Sequence, residues 1–70
     1  MREIPLNSSA LRKCLYDPEH QFLWIRFRTG EHYVYERIPA AVVQALLEAP
    51  SHGRYFNSVI RPNFSFKRLS

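Results

Sequence analysis

Cysteine occurs once in these 70 residues, at Cys14, so no internal disulfide can form and no cysteine pair can hold zinc. Glycine is confined to Gly30 and Gly53, and no acidic residue follows Glu48. No apolar run approaches the roughly 18 residues that a membrane span requires. The opening Met1-Arg2-Glu3-Ile4-Pro5 lacks the apolar core of an export signal. These shortages exclude an internal disulfide scaffold, and neither export nor membrane insertion is expected. With one unpaired thiol, they set the expectation of a cytoplasmic chain.

What is present is enough apolar matter for one packed domain spanning residues 1–70: 46% of the chain is hydrophobic and 14% aromatic. A core this small supplies only about 3–5 kcal/mol of net stability. Ten Lys and Arg against six acids give a charge of +4. The acid-free stretch after Glu48 carries Arg54, Arg61, Lys67 and Arg68, a field that attracts polyanions.

Residues 8–16 read as a first strand in which Leu11, Cys14 and Tyr16 break the period of two, as at a bulge or an edge. Asp17-Pro18-Glu19-His20 is a turn, because Asp accepts local backbone hydrogen bonds and Pro presets φ. Strands over about 21–28 and 31–38 follow. A two-residue Thr29-Gly30 loop would push β-branched Thr29 to positive φ, so a three-residue Arg28-Thr29-Gly30 loop is preferred. That register puts Leu23, Ile25 and Phe27 on one face with Tyr33 and Tyr35. Phe22, Trp24 and Arg26 share the other with His32, Val34 and Glu36. Pro39 opens a helix with Val42, Val43, Leu46 and Leu47 as its apolar stripe. Ser51 caps a shorter one carrying Tyr55, Phe56, Val59 and Ile60, which Arg61-Pro62 stops. The tail from Asn63 to Lys67 alternates like a strand returning to the sheet edge. The expected fold is α+β: a three-stranded antiparallel meander, then two short helices packing on one face, with an extended C-terminal segment.

Two constellations carry chemistry. On the outer face, Phe22 and Trp24 could stack bases while Arg26 and Arg28 take phosphates. The same face is open to two other fates: cover by Phe64 and Phe66 of the tail, or use as a protein interface. In the second, Arg54 and Arg61 with Lys67 could form a phosphate pocket; equally, Gly53 could serve close packing and the arginines be solvated. Tyr33 and Tyr35 fit core positions with hydroxyls at the rim. His20, His32 and His52 share no metal-ligand spacing, and adjacency of Ser51 and His52 makes no catalytic dyad. Neither an enzyme nor a metal or cofactor site is expected.

Ser8-Ser9, Tyr16-Asp17-Pro18-Glu19, Phe27-Arg28-Thr29-Gly30, Tyr33-Val34-Tyr35, Ile38-Pro39, the run from Ser51 to Asn57, and Ile60-Arg61 together resemble the KTSC domain. That short bacterial and phage module occurs alone or at the C-terminus of some lysyl-tRNA synthetases. The chain departs from the family pattern at Trp24, where such domains often turn a polar residue outward. The resemblance implies RNA as ligand, by association with a tRNA-charging enzyme. The expectation is therefore a monomer or weak homodimer that binds tRNA-like or single-stranded RNA through Trp24, Arg26, Arg28, Arg54, Tyr55, Arg61, Lys67 and Arg68. The alternative is a protein-interaction module anchored by Phe22 and Trp24.

Overall fold

The computed structural model describes residues 2–69. Its single sheet has five strands in sequential order, every neighbour antiparallel: β1 (Arg2–Pro5), β2 (Leu11–Asp17), β3 (Phe22–Phe27), β4 (His32–Tyr35) and β5 (Phe66–Arg68). Between β4 and β5 lie α1 (Ala40–Glu48), α2 (His52–Tyr55), a π-helical turn (Phe56–Ile60) and α3 (Arg61–Asn63). No helix among the described residues is long and apolar enough to cross a membrane.

The α+β class stands, but five strands replace the expected three. The two additions are the edge strands, of four and three residues. β5 is the returning extended segment, displaced toward Arg68, whereas β1 carries no readable period and becomes a strand only because the formed meander offers it a ladder.

The central register follows the three-residue loop. Leu23 faces Tyr35, Ile25 faces Tyr33, Trp24 faces Val34 and Arg26 faces His32. Phe27 N–H donates to the Glu31 carbonyl at 2.9 Å, and Gly30 alone in that loop takes positive φ, +99°. The irregularity of β2 is a bulge between Leu11 and Lys13. It lets Leu11, Cys14 and Tyr16 all reach the core, at 1%, 1% and 7% exposure. The turn after β2 forms as its residues dictate, with Asp17 Oδ1 accepting from the Glu19 N–H at 3.0 Å.

Both helical layers cover the face that carries Leu23 and Ile25. Val43 and Leu46 of α1, then Phe56 and Ile60, bury against those strands. Ser51 Oγ accepts from the Arg54 N–H at 3.3 Å and so caps α2. Arg61-Pro62 does not stop the helix, which runs on to Asn63. The Arg61 N–H reaches back five residues to the Phe56 carbonyl. This widened turn gives room to the Pro62 ring, which would crowd the Ser58 carbonyl in a regular α-helix. Tyr16, buried, donates its hydroxyl to the Ile38 carbonyl at 2.6 Å and ties the sheet to the start of the helical layer.

Candidate nucleic-acid interface

Strand parity writes the outer face as three rows running across the strands. One row reads Pro5, Lys13, Arg26 and His32, with Leu69 beside it through the Leu69 N–H to His32 carbonyl bond of 2.8 Å. The next reads Glu3, Leu15, Trp24, Val34 and Lys67. The third brings Asp17 opposite Phe22, and Glu36 follows Val34 on the same side of β4. The face is thus graded: cationic at the end near the β3–β4 loop, apolar and aromatic in the middle, acidic at the far end.

Among the described residues of the tail, Leu69 borders this face and neither phenylalanine covers it. The tail enters the sheet beside β4, with Phe66 opposite Tyr35 and Lys67 opposite Val34. Phe66 therefore points to the helix side, its ring 5.2 Å from that of Tyr33 and 5.3 Å from that of Tyr35. Phe64 packs against the core as well. Neither ring lies over Trp24. Phe22 instead meets Trp24 edge-on at 5.7 Å, and His20 stacks on Phe22 at 5.8 Å, extending an aromatic strip along the strand.

An open concavity of about 360 Å³ lies on this face, its wall including Glu3, Lys13, Trp24, Arg26, His32 and Leu69, with Leu15 at its base. Lys13 pairs with Glu3 at 3.1 Å. Arg26 Nε donates to His32 Nε2. Lys67 pairs with Glu36 at 3.6 Å. The two Lys–Glu pairs, being largely exposed, contribute about 0–1 kcal/mol each, so an incoming anion displaces them at little cost.

Of the eight residues expected to bind, the structure unites Trp24, Arg26 and Lys67 on the outer face. Arg28 lies beyond β3 in the loop, where its Nε donates to the Ser8 carbonyl at 2.8 Å. Arg68 faces Tyr33 on the helix side and pairs with Glu31 at 3.1 Å. Tyr55 packs against the core. Arg54 is exposed on α2. Arg61 lies over the Phe56 ring, 5.4 Å from its centroid. The phosphate pocket of Arg54, Arg61 and Lys67 does not assemble, because Lys67 projects from the opposite side of the sheet. Parity separates them.

Other candidate groups have structural duties. Burial pushes the Cys14 thiol up to about 11, which keeps it protonated and poorly nucleophilic. Burial also raises the Tyr35 hydroxyl, and the Arg61 guanidinium beside it offsets part of that rise. His52 is buried; its Nδ1 accepts from the Asn7 N–H at 3.0 Å, leaving Nε2 to donate toward Leu47. The ligand atoms of Asp17, Glu19 and His20 lie within 4.8 Å of one another. The Asp17 carboxylate already holds this turn, however: His20 Nδ1 lies 2.7 Å from Oδ2, and the hydrogen bond lowers the acid's pKa.

Sequence reasoning overlooked Lys13, Leu15, Glu3 and Leu69 as parts of the open face. For Lys13 and Leu15 a signal existed: once the bulge is placed before Lys13, alternation turns both away from Cys14. Glu3 and Leu69 had no such signal, since β1 was unread and the register of the tail undecided.

Comparison with known proteins agrees with the geometry. The profile of the KTSC domain matches residues 7–64. An uncharacterized protein of Stutzerimonas stutzeri is 53% identical over 62 residues, covering 89% of this chain and 87% of that protein. A lysine–tRNA ligase of Nostoc punctiforme is 37% identical over 64 residues, which span 91% of this chain but 11% of the ligase. The crystal structure of a KTSC domain protein from Yersinia pestis superposes with a TM-score of 0.90 at 33% identity, covering 99% of this chain and 97% of that one.

Proposed function

The chain belongs to the KTSC domain family, and from that membership together with its uncovered outer sheet face we propose that it binds RNA. Lysine–tRNA ligases carry a similar segment, and tRNA is the RNA nearest to such a protein. Domain company alone does not carry function. The observation that carries the proposal is the juxtaposition on one open face of Trp24 with Lys13 and Arg26. Rings supply sequence-tolerant stacking worth about 1–3 kcal/mol per base, and the adjacent cations track phosphates. Acidic Asp17 and Glu36 at the other end give the strand a direction, its phosphates drawn toward the β3–β4 loop.

The test is a titration of the whole protein with tRNA and with short single strands, following the emission of Trp24 at several salt concentrations. Neutralising two to three phosphates at Lys13, Arg26 and Lys67 predicts a slope of log affinity on log salt of about −1.4 to −2.7. Unchanged emission, or tRNA retention indifferent to salt, rejects RNA as the ligand. Salt-independent capture of a protein on the same face would favour the Phe22 and Trp24 anchor instead.

A further inference from the structure

Lys13 and Arg26 stand directly opposite each other across the β2–β3 ladder. Like charges in that position repel and lower the stability of a sheet. Glu3 offsets only one of them, through a pair whose carboxylate is 62% exposed. On the next strand Arg26 Nε donates to His32 Nε2, which holds the guanidinium toward β4 rather than toward an acid. The row thus sets two cations side by side, with Glu3 the one carboxylate paired to them among the described residues. One side-chain row away, the concavity has an apolar floor of Leu15, Trp24 and Leu69. Leu69, at 54% exposure, is one of the two most exposed large apolar side chains described.

A flat apolar ring bonded to a compact anion matches that pattern in both chemistry and spacing. Side chains of neighbouring strands stand roughly 5 Å apart, so Leu15 and Trp24 together underlie a surface about as wide as a nucleobase. The concavity of about 360 Å³ falls at the small end of the range for small-molecule sites. We infer that this concavity is a one-nucleotide subsite: the base lies over Leu15 against the Trp24 ring, and the phosphate sits between Lys13 and Arg26. The subsite rests on the RNA proposal for its biological source of nucleotide, but its chemistry stands independently of a polymer. Arg26 is the positioning cation, since a guanidinium takes two phosphate oxygens at once. Lys13 gives up Glu3 when the phosphate arrives.

The experiment titrates the whole protein with adenosine monophosphate, adenosine and inorganic phosphate at low salt, reading the emission of its single tryptophan, Trp24. The monophosphate is expected to quench Trp24 and to bind about tenfold more tightly than adenosine or phosphate alone. Arg26→Gln should bring its affinity down to that of adenosine while leaving the quench by adenosine intact. Lys13→Gln should lower the affinity several-fold. The thermal midpoints of both variants check that they fold. Absence of quenching by the monophosphate at millimolar concentration overturns the subsite, as does Arg26→Gln binding it like the parent. If tRNA is retained in a Trp24-dependent manner while no mononucleotide quenches, the subsite is wrong and the broader RNA proposal stands. If the monophosphate binds and tRNA is not retained, the subsite stands and the polymer proposal falls.

Discussion

Gly53 lies so close to Ser8 that an ideal Cβ on the glycine would sit 2.8 Å from Ser8 Oγ. The serine cannot swing away freely. Its oxygen accepts from the N–H groups of Ala10 and Leu11, both at 3.1 Å, and so fixes the loop that feeds β2. The start of the sheet and the first turn of α2 thereby pack tightly together, and the Asn7 N–H donating to His52 Nδ1 at 3.0 Å adds a hydrogen bond across the same seam. Gly53→Ala should cost about 1–3 kcal/mol by overpacking. In the double variant with Ser8→Ala the clash is relieved and only the lost turn hydrogen bonds remain. Urea denaturation should therefore show less destabilisation than the sum of the single variants.

Tyr16 offers a simpler test of the core. Its hydroxyl is the donor to the buried Ile38 carbonyl at 2.6 Å. Tyr16→Phe leaves that acceptor unpaired and should lower stability by about 1–3 kcal/mol. Glu3→Gln, which breaks the exposed pair with Lys13, should stay within about 1 kcal/mol of the parent. Equal losses from the two substitutions would contradict the burial assigned to Tyr16.

Cys14 links stability to alkaline pH. Its folded-state pKa is pushed up to about 11 from 9.0, so the unfolded chain gives up the thiol proton first. The corresponding stabilisation is complete below pH 9 and disappears as pH rises from 9 toward 11. Unfolding free energies measured at successive pH values should decline over that window. The decline between pH 9 and 10 should be absent in Cys14→Ala. Tyr16 and Tyr35, both raised by burial, act at higher pH in the same direction. A thiol reagent at pH 8 should label the folded protein far more slowly than the unfolded one.

The two sides of the sheet should respond differently to loss of charge. Arg54→Ala and Arg61→Ala should leave tRNA retention unchanged, while Arg26→Ala and Lys67→Ala weaken it. Arg61→Ala should instead cost about 0.5–1 kcal/mol of stability through the lost contact with the Phe56 ring. Retention assays at fixed salt, run beside thermal melts, separate these effects. Loss of retention in Arg54→Ala with Arg26→Ala unaffected would move the interface to the helical side.

Much of the fold was legible because each local cue had one satisfactory solution. Thr29 resists positive φ and Gly30 accepts it, which fixed the loop and with it every partner between β3 and β4. The cap at Ser51 and the apolar stripes of the helices were equally local. The site was harder to read. Arg54, Arg61 and Lys67 look like one cluster along the chain, yet Arg61 stands with the helices while Lys67 stands opposite Val34 on the other side. Sequence distance says nothing about which side of a sheet a returning strand will offer.

The chain's own order of residues determined the α+β class, the central hairpin and the excess of positive charge, while the structure decided that the irregularity of β2 is a bulge and not an edge. Whether the Trp24 face would be open was left to the tertiary structure. Phe64 and Phe66 alternate with the same period whichever side they take, and a slip of one residue would have laid Phe66 over Val34, beside Trp24. The partnership of Phe66 with Tyr35 settles that parity, because on the helix side its ring meets those of Tyr33 and Tyr35. Those ring contacts exist only after the meander has formed, and they leave Phe66 half exposed.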